Sequence, residues 1–261
     1  MQVGRPGDGL TEAVARIAGT SRPVAGPSAR RPQAIGQLPD QVTPAEIVGS
    51  AGLEGGRWIL PVGISERTLA PTGFNLYENE HALVAGPARS GRSTVLRVGA
   101  AVVRQHAPAV RVAAVAGPRS PLASTPAAHE VLEPVDLWPH LDRLGAEPGP
   151  VLVLIDDAEL IGDEDGAIAA LLGRRRPDLH VVAAGRNEVL RTLYTHWTRT
   201  VRQGRSALLL QPDIDLDGDL AGARLPRRSS VALSVGRGYL VQGGAIEIVQ
   251  TAGRPSGSGF T

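Results

Sequence analysis

The 261-residue chain carries 27 basic and 26 acidic side chains for a net charge of +1, and only 3% of its residues are aromatic. That balance offers neither a global field for DNA or an anionic membrane nor a stacking surface for single strands. The absence of cysteine excludes disulfides, thiolate zinc sites and cysteine nucleophiles, while 42% hydrophobic residues are enough for a sizeable core.

No N-terminal stretch has the basic-then-apolar form of a secretion signal, and no apolar run approaches the roughly 18 residues of a membrane span. The chain reads as soluble and cytoplasmic, or as the soluble part of something larger. The opening MQVGRPGDG resembles the closing VQTAGRPSGSG. On this basis residues 1–20 are expected to be the tail of a preceding repeat in a tandem array. Residues 21–56, rich in Pro, Ser, Gly and Ala, read as a linker with room for a short helix at Pro44–Gly49.

The compact part is expected over residues 57–250, followed by a flexible tail at 251–261. Trp58–Ile64 looks like a strand bent or edged by Pro61. Short apolar runs follow at Ala82–Ala85, Val110–Ala116, Val151–Ile155, His180–Ala184 and Ala207–Leu210. Their apolarity is continuous rather than alternating, which suggests strands buried on both faces. Ser93–Gln105 has helical spacing, with weaker helical patterns at Glu164–Leu172 and Glu188–Trp197. Strands alternating with helices predict an α/β fold, a mostly parallel sheet flanked by helices. Gly243-Gly244 between Gly238–Gln242 and Ala245–Gln250 predicts a C-terminal β-hairpin.

Two motifs carry chemistry. Gly86-Pro87-Ala88-Arg89-Ser90-Gly91-Arg92-Ser93 has the spacing G-x-x-x-x-G-basic-Ser, after a predicted strand and opening a predicted helix, with Thr94 following into the helix. Glycines allow the backbone to bend and approach oxygen, the amides form an anion nest with the helix N-terminus, and Ser93 would place a hydroxyl on Mg²⁺. Every Lys/Arg position in the chain is arginine, including Arg92. A planar guanidinium there can hold phosphate without fitting where a compact ammonium would. The second motif, VLVLIDDAE at Val151–Glu159, ends an apolar strand in two acids. Asp156 would hold Mg²⁺ and Asp157 stands where a water-activating acid belongs, one methylene shorter than glutamate. Both motifs fall at the carboxyl ends of predicted parallel strands, where open α/β sheets bind ligands.

The stretches LPVGISERTLAP, HALVAGPARSGRSTVL, VLVLIDDAEL, LLLQPDIDLDGDLAGARLPRR and GRGYLV, in this order over about residues 57–250, resemble the FtsK/SpoIIIE family of ring-forming ATPases. Within it they are most similar to the repeated C-terminal ATPase domains of type VII secretion EccC proteins. The resemblance implies a RecA-like P-loop NTPase fold, with ATP and Mg²⁺ at Gly86–Thr94 and Asp156. It also implies neighbouring ATPase domains in a ring or tandem array, and a secreted substrate protein as a further partner. Three departures weaken a hydrolysis claim: Arg92 for lysine, Asp157 for glutamate, and Ala183-Ala184-Gly185-Arg186 where DNA translocases carry a polar Thr-Gln that senses the terminal phosphate. Arg199, Arg202 and Arg205 read as a solvated basic face or an arginine finger for a neighbour. Arg174-Arg175-Arg176 reads as a helix C-terminal charge cluster. His81, His180 and His196 lack metal-ligand spacing.

The leading expectation is thus an ATP-binding, partly degenerate domain of a type VII secretion-like assembly, in the cytoplasm and at most peripheral to a membrane complex. One alternative is an ATP-driven DNA translocase subunit, against which the balanced charge counts. The other is a nucleotide-dead domain that recognises a secreted substrate.

Overall fold

Apolar runs with no polar alternation need cover on both faces, and the fold supplies it. The structure is a computed structural model that describes residues 37–54, 56–229 and 231–253. Its eleven strands form one sheet: β1 (Gly52–Glu54), β2 (Arg57–Ser65), β3 (Pro71–Leu76), β4 (Ala82–Ala85), β5 (Arg111–Val115), β6 (Glu130–Leu132), β7 (Val151–Ile155), β8 (Leu179–Gly185), β9 (Ser206–Leu210), β10 (Arg237–Gln242) and β11 (Ala245–Thr251). The order is β1-β2-β11-β10-β9-β4-β8-β7-β5-β6, with β3 pairing β2. The stretch from β9 to β6 is parallel, and the strands from β10 to β1 add an antiparallel wing.

Each central strand divides its side chains between two cores. Leu83, Ala113, Val153, Val181 and Leu209 face one layer, covered by helices Trp138–Ala146, Ala167–Leu172 and Thr198–Gln203. Val84, Ala114, Leu154, Val182 and Leu208 face the other, under helix Arg92–His106 and the apolar side chains of β2 and β3. Helix Arg92–His106 buries Val95, Leu96, Val98, Val102 and Val103 and ends just before Pro108. The bend expected at Pro61 is a bulge between Pro61 and Gly63 in β2. Gly243 and Gly244 take φ of 53° and 86° between β10 and β11, the paired positive φ that a two-residue hairpin turn requires.

Several elements differ from the sequence reading. The expected tail 1–20, residues 21–36 and residues 254–261 lie outside the described residues. What is described of the 21–56 stretch packs on the sheet instead of spanning a gap. Leu38, Val42 and Ile47 are buried in the first core. The Glu46 carboxylate accepts from the Thr43 amide at 2.7 Å and its hydroxyl at 2.8 Å, opening a short helix at Pro44–Ile47. Val42 bridges Ala252, so the sheet also continues past residue 250. Buried Arg237 ties the segment down, donating to the Pro39 carbonyl at 3.2 Å, to Asp40 at 3.0 Å and to Gln250 at 3.0 Å. The Glu188–Trp197 pattern resolves into helices Asn187–Leu190 and Thr198–Gln203 with turns between. Arg202 donates to the carbonyls of Leu190 (3.1 Å) and Leu193 (2.9 Å), which holds that break open. Arg176 clamps the carbonyls of Gly145, Glu147 and Gly149 instead of standing in a cluster at a helix end. No helix among the described residues is long and apolar enough to cross a membrane.

His81 and His180 are buried at the opposite end of β4 and β8 from their carboxyl termini, with Trp58 edge-on to His180 at 4.7 Å. Burial depresses the His81 pKa from 6.5 to about 4, with neighbouring His180 adding to the shift. An unfolded chain therefore takes up a proton at His81 before the folded one does. Stability is full above pH 6.5 and falls as the pH drops towards 4, by about 3 kcal/mol for this residue. Urea denaturation at pH 7, 5.5 and 4.5 will show the loss, and His81→Asn will flatten it. Ile47→Ala will cost about 2–5 kcal/mol by the same measurement, the penalty of a core cavity; a value near zero would return residues 37–54 to the status of a linker.

Candidate functional site

The loop after β4 turns back on itself before the helix begins. The Gly86 amide donates to the Gly185 carbonyl at 3.3 Å, which fixes the loop to the end of β8. A Cβ at Gly86 would lie 2.6 Å from Ser90 Oγ and 2.8 Å from the Leu210 carbonyl, so only glycine fits there. Arg89 and Gly91 take left-handed φ values of 64° and 108°. They reverse the chain, and Gly91 then caps the helix with no side-chain hydrogen bond and no acid in the first turn. The first amides of a 15-residue helix are left pointing at the loop's centre, the arrangement that favours an anion. Ser90 is locked below: its carbonyl accepts from the Gly236 amide at 3.0 Å, and its buried hydroxyl has no partner. Ala88, Arg89 and Thr94 are exposed, and Pro87 and Ser93 half-buried.

Arg92 folds into this loop. Its Nη1 donates to the carbonyls of Gly86 at 2.6 Å and Pro87 at 2.8 Å, and the residue is 8% exposed. Its Nη2 lies 3.4 Å from Asp157 Oδ1, 65 residues on in the chain. Asp157 itself takes a left-handed φ of 47° after β7, which turns its carboxylate to meet the guanidinium. Asp156 is buried at the end of β7, its amide bonded to the Val115 carbonyl at 3.0 Å. One carboxylate oxygen accepts from the Ser120 hydroxyl, and the other, Oδ1, is buried without a partner. The fold thus brings the stretch Gly86–Thr94, Asp156 and Asp157 to one edge of the sheet.

A phosphate chain and a divalent cation fit these residues. The bare helix N-terminus and the two left-handed loop residues offer amides to phosphate, and the orphaned Asp156 Oδ1 suits a hard cation. What does not match a simple loop is Arg92, whose charge is already spent on two carbonyls and a carboxylate.

Two residues at this edge, Ser120 and Glu159, had no assigned role in the sequence reading, and Arg186 stood there only as a departure from the translocase pattern. Ser120 orients Asp156 while accepting from the Leu122 amide at 3.0 Å; a serine two residues before an apolar turn was its only sign. Glu159 has both carboxylate oxygens buried with no hydrogen bond, packed on Gly185. Arg186 Nε stands 3.6 Å from that carboxylate, within ion-pair reach but beyond a hydrogen bond. Arg199, Arg202 and Arg205 instead line a groove with Tyr194 and Asp219. Of these, Arg202 is engaged with backbone carbonyls, and burial and Arg199 lower its pKa.

No protein-family model matches the chain. It is 28% identical over 95% of its length to the ESX secretion system protein EccC of Thermomonospora curvata, of which it spans 21%. Among solved structures, it resembles T. curvata EccC (ATPases 2 and 3) in complex with a signal sequence peptide, at a TM-score of 0.61 and 23% identity, over 89% of this chain and 46% of that one. It also resembles the cytoplasmic domain of the T. curvata type VII secretion ATPase EccC, at a TM-score of 0.62 and 23% identity, over 98% of this chain and 33% of that one. The chain therefore spans a fifth to under half of these relatives' length. With the strand order, these likenesses show that the chain has the α/β fold of P-loop ATPases and is similar to the ATPase domains that EccC carries.

Proposed function

We propose that this domain binds ATP with Mg²⁺ and serves a type VII secretion-like assembly as a regulatory rather than a motor unit. The observation that carries this is Arg92, tied to the Gly86 and Pro87 carbonyls and to Asp157 inside an otherwise well-formed phosphate loop. Loop amides and Asp156 are the parts that binding needs. Phosphoryl transfer needs more: a free cation on the terminal phosphate and a carboxylate positioned on water. Here the cation and the carboxylate at those two positions neutralise each other.

Ser93 and Asp156 would hold the metal. Bound Mg²⁺ supplies charge neutralisation across the outer phosphates. The Ser120 hydroxyl engages one Asp156 oxygen and leaves Oδ1 unpartnered, the atom that would serve such an ion. Asp157 in this reading is a partner of Arg92, and acts as a base only when that pair opens. The likeness to multi-ATPase EccC, part of which is solved with a signal sequence peptide, supports neighbouring ATPase domains and a secreted protein as partners. An open groove of about 780 Å³ between Asp163 and Gln203, with Trp197 at its base and exposed Tyr194 on its rim, is a surface that suits a peptide.

Calorimetric titration with ATP will show saturable binding that Mg²⁺ strengthens. Asp156→Ala will abolish the Mg²⁺ enhancement, and phosphate release will stay near background. Brisk turnover would overturn the regulatory part, and DNA-stimulated turnover would point to the translocase alternative. No binding by the wild type would leave an interaction domain. Gly86→Ala will abolish binding while costing about 1–3 kcal/mol of stability, because the added methyl must displace the Leu210 carbonyl or Ser90. Binding that survives Gly86→Ala would place the nucleotide elsewhere.

A further inference from the structure

A tyrosine hydroxyl buried away from water normally finds a partner, because an unmet O–H costs free energy. Tyr239 is an exception: it is 1% exposed, and its hydroxyl has no hydrogen bond. On β10 it stands opposite Leu209 of β9 and Ile248 of β11 and shares their core face. It also lines an open cleft of about 460 Å³ to which Pro226, Ile246 and Ile248 give apolar walls. Neither Gly86–Thr94 nor the Asp156–Asp157 pair contributes to this cleft.

Two guanidiniums share the cleft with the phenol. Arg67 stands on the turn between β2 and β3, which is fixed by the Glu66 amide donating to the Ile248 carbonyl at 2.8 Å and the Leu69 amide to the Ser65 carbonyl at 2.9 Å. Arg228 comes from the segment before β10, while its neighbour Arg227 reaches away to Asp215 at 3.3 Å. Arg67 and Arg228 are exposed, and neither guanidinium makes a hydrogen bond or ion pair with the described residues. Glu247, also in the wall, is committed to the sheet: its carboxylate accepts from the Ser65 hydroxyl at 2.6 Å and the Thr72 hydroxyl at 2.7 Å. The cleft thus sets donors without acceptors beside apolar walls, at a volume within the usual range of about 300–1,000 Å³ for small-molecule sites. A guanidinium fork matches a carboxylate. Glu66 and Glu247 in the same wall oppose a second negative charge, which disfavours a phosphate dianion.

We infer that this cleft is a second binding site, separate from the phosphate loop, for a carboxylate carried on a short apolar stem, with Tyr239, Arg67 and Arg228 as its donors. The stem packs on Pro226, Ile246 and Ile248, and the carboxylate takes the hydrogen bond that the phenol lacks. A small organic acid and the last residue of a peptide share this chemistry.

Calorimetric titration of the full chain with phenylacetate and with an acetylated tripeptide ending in phenylalanine separates those sources. Saturable binding of either supports the site, and the tighter one names the source. Phenylacetamide, the same stem without the charge, will not bind, and inorganic phosphate will bind roughly tenfold more weakly than the acid. Tyr239→Phe removes only an unpartnered hydroxyl, so it will fold with an unchanged urea midpoint. It will weaken the acid roughly tenfold, the scale of a hydrogen bond to a charged group. The double variant Arg67→Ala with Arg228→Ala will abolish binding. Absence of saturable binding by both probes overturns the inference. So does binding that Tyr239→Phe and the double arginine variant leave unchanged, which places the acid elsewhere. Phosphate binding as tight as the acid would reveal a general anion patch and overturn it too. ATP binding by Tyr239→Phe will match the wild type; a loss there would make the cleft part of the nucleotide site and sink the claim of a second one.

Discussion

The constraint on which the site depends is the placing of β8 between β4 and β7. Parallel strands leave their carbonyl ends on one edge. The bond from the Gly86 amide to the Gly185 carbonyl fixes the phosphate loop to that edge at a set height. From it follow the reach of Arg92 to Asp157 and the seat of Glu159 against Gly185. The inserted strand holds the two motifs one strand's width further apart than direct neighbours would be. It is also why residues leaving the carboxyl end of β8 stand between the two motifs. Continuous apolar sequence makes the insertion possible, since Val181, Val182, Ala183 and Ala184 can be buried on both faces at once.

Arginine at position 92 changes what the loop is. A lysine would present three donors at the end of a flexible stem, free to follow a phosphate. The guanidinium is broader, and here its fork spans two backbone carbonyls of its own loop while its second nitrogen reaches a carboxylate. The interaction preorganises the cradle by pinning Gly86 and Pro87. In the function proposed above, it also leaves less positive charge for a transition state, a trade of turnover for a defined binding geometry. Asp157, in its left-handed conformation, is part of the same trade.

Much of this was legible in the sequence, for physical reasons. Strands β4, β5, β7, β8 and β9 announce themselves as unbroken apolar runs, and the phosphate loop by glycines at fixed spacing. Gly243-Gly244 specifies its turn by allowing two positive φ values in a row. What stayed hidden depended on partners far along the chain. The stretch before residue 57 looks like a linker because its few apolar residues show no period; Ile47 and Val42 matter only because a core and the Ala252 bridge await them. Helix Trp138–Ala146 opens with Pro139 in its first turn, a residue read more readily as a break than as a start. Glu159 closes the acidic stretch after β7 with nothing in the sequence to mark it. Its burial is set by Gly185 and Arg186, which no local pattern reveals.

The distribution of satisfied and unsatisfied groups separates scaffold from site. Away from the loop edge, buried charge is fully used. Asp217 accepts from Asn187, from Arg191 at 2.8 Å and from the Asp213 amide at 2.7 Å, and Arg237 and Arg176 each hold several backbone carbonyls or side chains. Among the described residues, eight buried side-chain atoms lack a hydrogen bond, and five of them belong to Ser90, Arg92, Asp156 and Glu159. Unmet hydrogen-bonding capacity of this kind is costly, and a sheet that satisfies Asp217 so completely has the means to satisfy these as well. The shortfall gathers at one edge, around a helix N-terminus with free amides, and a metal-bound phosphate chain, as proposed above, would supply oxygens to the amides and a cation to the orphaned Asp156 oxygen.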